Sequence, residues 1–283
     1  MKTLVFVSDL FAEDYVGGAE LTTEALISKV EQKNKIIKIR SRAVTTEHIN
    51  NLKEHHWIIC NFSGLSESNK LNICKTISYS MVEYDYKFCK YRSMELHKIK
   101  ENIDCNCTEL DSSKLNLAFY GRAKKVWFMS DVQKNIFLKK VKTIKKENVE
   151  VLSSVFSDGD LRFIESIKDN DKDNKYLIVK SNSWVKGFEG CVNYANLNKL
   201  EYEVVQNLPY HELLIKLSTS KGLIFLPDGA DTCPRLVIEA KLLGCELVLN
   251  DLVQHRNEEW FLDRGACLNY MNNRASVFWR NYE

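Results

Sequence analysis

Two carboxylates in one short segment are the residues best suited to chemistry. A strand-like run, Leu223-Ile224-Phe225-Leu226, ends at Pro227. A polar loop, Asp228-Gly229-Ala230-Asp231-Thr232, leads into a helix that starts near Cys233-Pro234. Proline suits a first helical turn, and Thr232 or Asp231 can cap it. Gly244 closes the helix and a strand follows at once. Glu239 shares a helix face with Leu236 and Leu243. A carboxylate on so apolar a face is costly unless something pairs with it. From this helix alone there are two readings: a structural ion pair with Arg235, the commoner outcome, or an acceptor for ligand hydroxyls.

Other groups could share that chemistry. Gly17-Gly18 forms a loop before a helix, and glycine lets a backbone approach a ligand closely. Lys180, Ser181 and the pair Lys186-Gly187 follow another strand. Asn61 and Ser63 end the strand that begins at Trp57, and they are candidate pocket groups. His55-His56, just before it, reads as an exposed turn. Glu83, Asp85 and Arg92 follow a further strand end and suit contact with a second substrate. A carboxylate there could take that substrate's proton. Cys89, His97, Cys105 and Cys107 are four soft ligands with the spacing Cys-x7-His-x7-Cys-x-Cys. The tight Cys-x2-Cys of common zinc sites is missing, so the spacing favours reduced thiols and no metal. The lysine-rich run Lys139–Lys146 reads as a solvated helix end; a polyanionic acceptor or an anionic membrane surface is the alternative.

The elements that must position these residues alternate. Residues 3–8, Ile36–Ile39, Trp57–Asn61, Ser80–Glu83 and Val126–Met129 read as strands, with amphipathic helices from about Ala19 to Gln32 and after Ser130-Asp131. Ser153–Asp173 is rich in Ser, Asp and Asn, and reads as turn chemistry between two domains. A second series follows: strands Tyr176–Lys180, Tyr202–Gln206, Gly222–Leu226 and Glu246–Leu249, and helices Phe188–Asn196, Tyr210–Thr219 and Pro234–Leu243. The fold class is therefore α/β. Residues 1–155 form one Rossmann-like domain and 174–270 a second. A C-terminal helix over 271–283 can pack back on the first. Such domains bind ligands at strand C-terminal ends, in a central cleft.

Composition agrees with a folded chain of this kind. Of 283 residues, 45% are hydrophobic, enough for sizeable cores. Lys and Arg number 40 against 38 Asp and Glu, so net charge argues for neither nucleic acid nor an anionic membrane. Nine scattered cysteines, no signal-like leader and no apolar run of roughly 20 residues point to a cytoplasmic protein, with peripheral membrane contact left open.

Pro227-x3-Asp231-x7-Glu239-Ala240-x3-Gly244 resembles the donor-site signature of GT-B glycosyltransferases, above all family-4-like retaining enzymes. Their pattern is Pro-x3-Glu-x7-Glu-Ala-x3-Gly after a strand. Gly17-Gly18-Ala19-Glu20 is similar to the family's early Gly-Gly-x-Glu loop, Ser130 to its Val-Ser strand end, and Lys186-Gly187 to its Lys-Gly pair. The resemblance covers most of the chain. It implies a hexosyl- or pentosyltransferase taking a UDP- or GDP-linked sugar, with retention of configuration and without a metal or other required cofactor. Asp231 would contact sugar hydroxyls, Glu239 the ribose and Lys186 the diphosphate. Thr232 and Cys233 would add backbone N–H contacts to phosphate. The acceptor would be a glycan, a lipid-linked sugar or modified DNA. The chain departs from the family at Asp231, where Glu is usual, and at Thr232-Cys233-Pro234, where Gly-Phe-Gly is usual. The family's arginine before the lysine is missing; Ser181 stands there with Lys180 beside it. Two other functions fit these residues: a transferase for hydroxymethylated DNA bases, as in some phage enzymes of similar fold, and a non-catalytic module that binds sugar nucleotides or glycans.

Overall fold

A computed structural model describes residues 2–282. The chain divides into two compact units, Met1–Val155 with Phe278–Glu283, and Phe156–Val277. Among the described residues no helix is long and apolar enough to cross a membrane.

The first unit contains strands β1 (Thr3–Ser8), β2 (Lys35–Arg40), β3 (His56–Ile59), β4 (Ser78–Glu83), β5 (Val126–Phe128) and β6 (Val149–Val151). Its helices are α1 (Gly18–Ser28), α2 (Thr46–Asn51), α3 (Glu67–Thr76), α4 (Met94–Glu101), α5 (Lys114–Arg122) and α6 (Asp131–Lys140). The strands form one parallel sheet in the order β2-β1-β3-β4-β5-β6. Central strands of such a sheet are covered on both faces, so they read as continuous apolar runs. The run Leu4-Val5-Phe6-Val7 of β1 is buried throughout, while edge strand β2 mixes three isoleucines with Lys35, Lys38 and Arg40 and stays partly exposed. Serine caps set several helix starts: Ser66, Ser93 and Ser130 each accept a backbone N–H from the first turn of α3, α4 and α6.

The second unit contains α7 (Asp158–Ile167), β7 (Tyr176–Val179), α8 (Phe188–Leu197), β8 (Tyr202–Val205), α9 (Tyr210–Thr219), β9 (Gly222–Phe225), α10 (Arg235–Leu242), β10 (Glu246–Leu249), α11 (Glu259–Leu262) and α12 (Arg264–Trp279). Its parallel sheet has the order β10-β9-β7-β8. The chain runs from β7 to β8 on one side and then returns to β9 on the other. The strand order therefore reverses between β7 and β9, which is where open α/β sheets leave a crevice.

Two expectations change. The Ser/Asp/Asn-rich stretch 153–173 is not all turn, because its middle folds as α7. Ser157 and Asp160 form a capping box, and Leu161 and Ile164 bury the inner face. The acids that resemble turn residues supply the helix's first turn. The last helix also starts earlier than its aromatic tail indicates, at Arg264.

That tail closes the core of the first unit. Trp279 donates from Nε1 to the Leu26 carbonyl at 2.9 Å and packs edge-on against Phe6. Trp127 donates to the Tyr282 hydroxyl at 2.9 Å, and Phe278 packs on Trp127. Trp279→Ala should cost about 3–5 kcal/mol, the usual range for truncating a buried aromatic. Urea unfolding followed by circular dichroism reads this as a lower midpoint. An unchanged midpoint would show that the tail is not part of the core.

Candidate functional site

The loops after β7 and β9 touch through their backbones. After β7, residues 180–183 lead into a 3-10 turn, Trp184–Lys186, which ends at Gly187 in the left-handed region, φ 62°. A Cβ on Gly187 would lie 1.9 Å from the Leu226 carbonyl oxygen, so only glycine fits. Asp228 N–H donates to the Val185 carbonyl at 3.0 Å and ties the loops a second time. This contact sets Lys186 against Asp231, with Nζ to Oδ2 at 2.6 Å. The Lys186 side chain keeps 36% of its surface exposed, so it can turn to a ligand. Asp231 is held by its own backbone. Its N–H donates to the Leu252 carbonyl at 2.9 Å and its carbonyl accepts from Gln254 N–H at 3.1 Å. Lys180 is exposed at the end of β7 with its ammonium 5.6 Å from the Phe188 ring centre, and Ser181 Oγ accepts from Ser183 N–H.

Helix α10 starts later than its sequence predicts. Pro234 is the N-cap, and its side chain makes no capping hydrogen bond, so the cap position falls after Thr232 and Asp231. Pro234 cannot donate an N–H, and its extended ψ of 117° delays the first turn. Thr232 and Cys233 are buried in the loop ahead of it.

Glu239 is 2% exposed and lies in a polar network. Tyr210 donates to its Oε1 at 2.8 Å, and Arg235 Nε approaches the same oxygen at 3.3 Å. Arg235 also donates to Tyr210 at 2.8 Å and to Asp160 at 3.2 Å, and lies over the Phe156 ring. The ion pair read from the helix therefore forms. Both Glu239 contacts fall on Oε1. Burial holds the Glu239 carboxyl above its usual range, and Arg235 and Tyr210 only partly offset it. Asp160, Tyr210 and Arg235 all lie in first turns, of α7, α9 and α10. Three helix N-termini thus meet around Glu239.

In the first unit, the polar residues gather where β1, β3 and β4 end. Gly17 caps α1 in extended conformation and Gly18 is its first residue. Arg92 pairs with Asp85 and donates to Ser63 Oγ at 3.1 Å. Glu83 is 1% exposed, bonded to Lys87 at 2.7 Å and to the Tyr120 hydroxyl. Burial raises the Glu83 carboxyl, with Asp85 adding to it and Lys87 opposing. Burial also opposes the Asp85 charge, but Lys87 and Arg92 outweigh it and hold that carboxyl low. Two neighbouring carboxyls are thus driven apart, a division that suits proton transfer. Asn61 is buried, and its Oδ1 has no hydrogen-bond partner among the described residues.

Several positioning residues are not evident from the sequence. Gln133 is fully buried; it accepts from Met129 N–H at 2.7 Å and donates to the carbonyls of Glu83 and Asp85. Asp9 accepts from Ser63 N–H, Gly64 N–H and Ser41 Oγ. The aspartate after β1 was the available signal, but without a repeat or motif it had no assigned partner. His56 is a correction. It opens β3 rather than lying on an exposed turn, and its ring bonds Ser78 and Ser80 at 3.3 and 3.1 Å. Burial lowers its pKa to about 4. A concavity of about 710 Å³ beside it, lined by Lys2, His55, Lys124 and Lys125 among others, lies at the N-terminal sheet edge, away from these residues.

Comparison with known proteins bears on the fold. No protein-family model matches the chain, and no curated protein sequence does. Solved structures do. HepE from Anabaena in complex with UDP-glucose has a TM-score of 0.58 at 8% identity, over 100% of this chain and 96% of that one. An alpha-glucosyltransferase in complex with UDP-glucose and DNA containing an abasic site gives 0.52 at 8%, over 99% and 95%. AviGT4, a glycosyltransferase involved in avilamycin A biosynthesis, gives 0.52 at 9%, over 99% and 93%. The chain shares their fold, which is GT-B.

Two predictions follow from this geometry. Gly187→Ala should destabilise the protein by about 2–4 kcal/mol, since it adds a left-handed strain of about 1–2 kcal/mol to a backbone clash; a melting temperature equal to that of the wild type would contradict the contact. Among the described residues, His255, fully buried between Trp260 and Phe261, has no hydrogen bond on either ring nitrogen. Burial lowers its pKa from 6.5 to about 3. The unfolded chain then binds a proton that the folded one refuses. The stability this contributes is complete above about pH 6.5 and is lost as pH falls toward 3. His255→Phe should flatten melting temperature against pH in that window, and identical profiles would refute the assignment.

Proposed function

We propose that the protein is a glycosyltransferase that moves a sugar from a nucleotide-diphosphate donor, UDP- or GDP-linked, to an acceptor with retention of configuration. The observation that carries this reading is the 2.6 Å approach of Lys186 to Asp231 at the C-terminal ends of β7 and β9. A cation and a carboxylate at that switch point suit a ligand with both phosphates and hydroxyls. On donor binding the pair would separate. Lys186 would turn to the diphosphate and Asp231 to the sugar hydroxyls. Glu239 would accept from the ribose through Oε2, the oxygen that neither Tyr210 nor Arg235 uses. Lys180, Ser181, Thr232 and Cys233 would complete the donor contacts, and Gly17 and Gly18 would let backbone approach the phosphate or the acceptor.

Transfer breaks the bond between the sugar's anomeric carbon and the diphosphate oxygen and forms one to the acceptor oxygen. Negative charge builds on the leaving diphosphate, and a preorganised ammonium stabilises it there. Our reading gives that task to Lys186 and assigns no step to a metal ion. Asp85, Arg92, Ser63 and Asn61 would meet the acceptor, with ionised Asp85 as the candidate proton acceptor. Glu83, sealed by Lys87 and Tyr120, would position that group. Support comes from the shared fold, since HepE and the alpha-glucosyltransferase were both solved with UDP-glucose.

The test is a thermal-shift screen of nucleoside diphosphates, then turnover of the matching nucleotide sugars with candidate acceptors. Lys186→Ala should keep its fold and lose about 100-fold or more in rate. Glu239→Gln should weaken donor binding about 10- to 100-fold, as for a hydrogen bond to a charged group. Tight donor binding without turnover would convert the reading to a binding module. No shift with any nucleotide would remove it altogether.

A further inference from the structure

Between β4 and α5 the described chain adds no strand, only α4 and two short 3-10 turns. In this excursion three cysteines and a histidine meet. The ligand atoms of Cys89, His97, Cys105 and Cys107 all lie within 4.8 Å of one another. His97 Nδ1 is 3.7 Å from Cys89 Sγ and 3.5 Å from Cys107 Sγ. A tetrahedral zinc with Zn–S of about 2.3 Å and Zn–N of about 2.0–2.1 Å sets sulfur and nitrogen about 3.5–3.6 Å apart. The two His97–cysteine distances match that spacing, and the remaining pairs lie within 4.8 Å.

Their surroundings agree. Cys89, His97, Cys105 and Cys107 are 2%, 1%, 5% and 1% exposed, so solvent has little access to the group. Among the described residues, both polar contacts of the His97 ring are to sulfur, through Nδ1, and Nε2 makes none. A backbone N–H points at one of the sulfurs: Lys90 donates to Cys107 Sγ at 3.5 Å. Such donors stabilise metal-bound thiolates and fix their direction. The ligands come from three places that only the fold unites: a turn held by Cys89 N–H to the Tyr86 carbonyl, the second turn of α4, and the segment from Cys105 to the start of the 3-10 turn at Cys107.

We propose that Cys89, His97, Cys105 and Cys107 bind one structural zinc ion. Four protein ligands close the coordination sphere and leave no position for substrate. The ion's task is mechanical. Cys89 begins the turn that holds Arg92 at φ 56°, a left-handed conformation costly for arginine, and Arg92 N–H donates to the Cys89 carbonyl at 2.9 Å. Arg92 is the residue that reaches Asp85 and Ser63. Zinc would therefore hold Arg92 toward those two residues. The zinc proposal does not depend on the transferase reading.

The test uses the full chain, expressed with added zinc and purified without chelator, and measures metal per chain by mass spectrometry. About one zinc per chain is expected. After chelator treatment the melting temperature should fall, and added zinc should restore it. Cobalt in place of zinc should give the intense visible bands of a tetrahedral thiolate site. Cys105→Ser and His97→Ala should lose the metal, whereas Cys74→Ser, outside the cluster, should keep it. If the variants do not fold, the zinc content and cobalt spectrum of the unaltered chain still decide. A chain that holds no stoichiometric zinc and takes up no cobalt overturns the proposal. So does a disulfide among these cysteines, or zinc that persists in both cluster variants.

Discussion

The Leu226 carbonyl occupies the space where residue 187 would carry a side chain, and the candidate site of the second unit depends on that contact. Because residue 187 is glycine and left-handed, the backbones after β7 and β9 meet directly. Lys186 is then fixed beside the loop that carries Asp231. Further backbone bonds to Leu252 and Gln254 hold the aspartate from the other side. The geometry is thus set by main chain, and the two charged side chains need only adopt local rotamers. A site built in this way tolerates changes in its side chains better than changes in its glycine.

Each unit also buries one carboxylate with a cation and a phenol. In the first these are Glu83, Lys87 and Tyr120; in the second, Glu239, Arg235 and Tyr210. Burial raises both acids above their usual range. Such groups add little net stability, yet removing one partner strands a charge and costs about 3–5 kcal/mol. Their effect here is rigidity where strands end and helices begin. Glu83 and Gln133 fix the segment after β4, and Arg235 binds three helix starts to one another.

The parallel sheets were legible because buried strands must be apolar on both faces, and β1, β7 and β9 appear in the sequence as such runs. The pairing of Lys186 with Asp231 was not, since 45 residues separate them and spacing carries no information about which loops touch. Short helices such as α2 and α7 were missed for a related reason. Their capping residues, Thr45, Ser157 and Asp160, are also turn residues, and only buried Ile49, Leu161 and Ile164 distinguish the two. Glu239 was legible as a buried acid with a cation four residues away. Its phenol partner Tyr210 was not, because α9 and α10 meet only in three dimensions. The grouping of Cys89, His97, Cys105 and Cys107 was visible as composition and not as geometry, because only the fold brings these side chains together.

The order in which a ribosome releases the chain gives the tail of α12 a further importance. Trp279, Phe278 and Tyr282 fill the core of the first unit, but they are made after the whole of the second. Residues 1–155 therefore emerge with an incomplete core whose apolar surface must wait through the synthesis of another α/β unit. During that interval the first unit is exposed to chaperones and to aggregation. Its final closure reports that translation has passed Trp279, so truncated products would retain an open core that quality control can recognise.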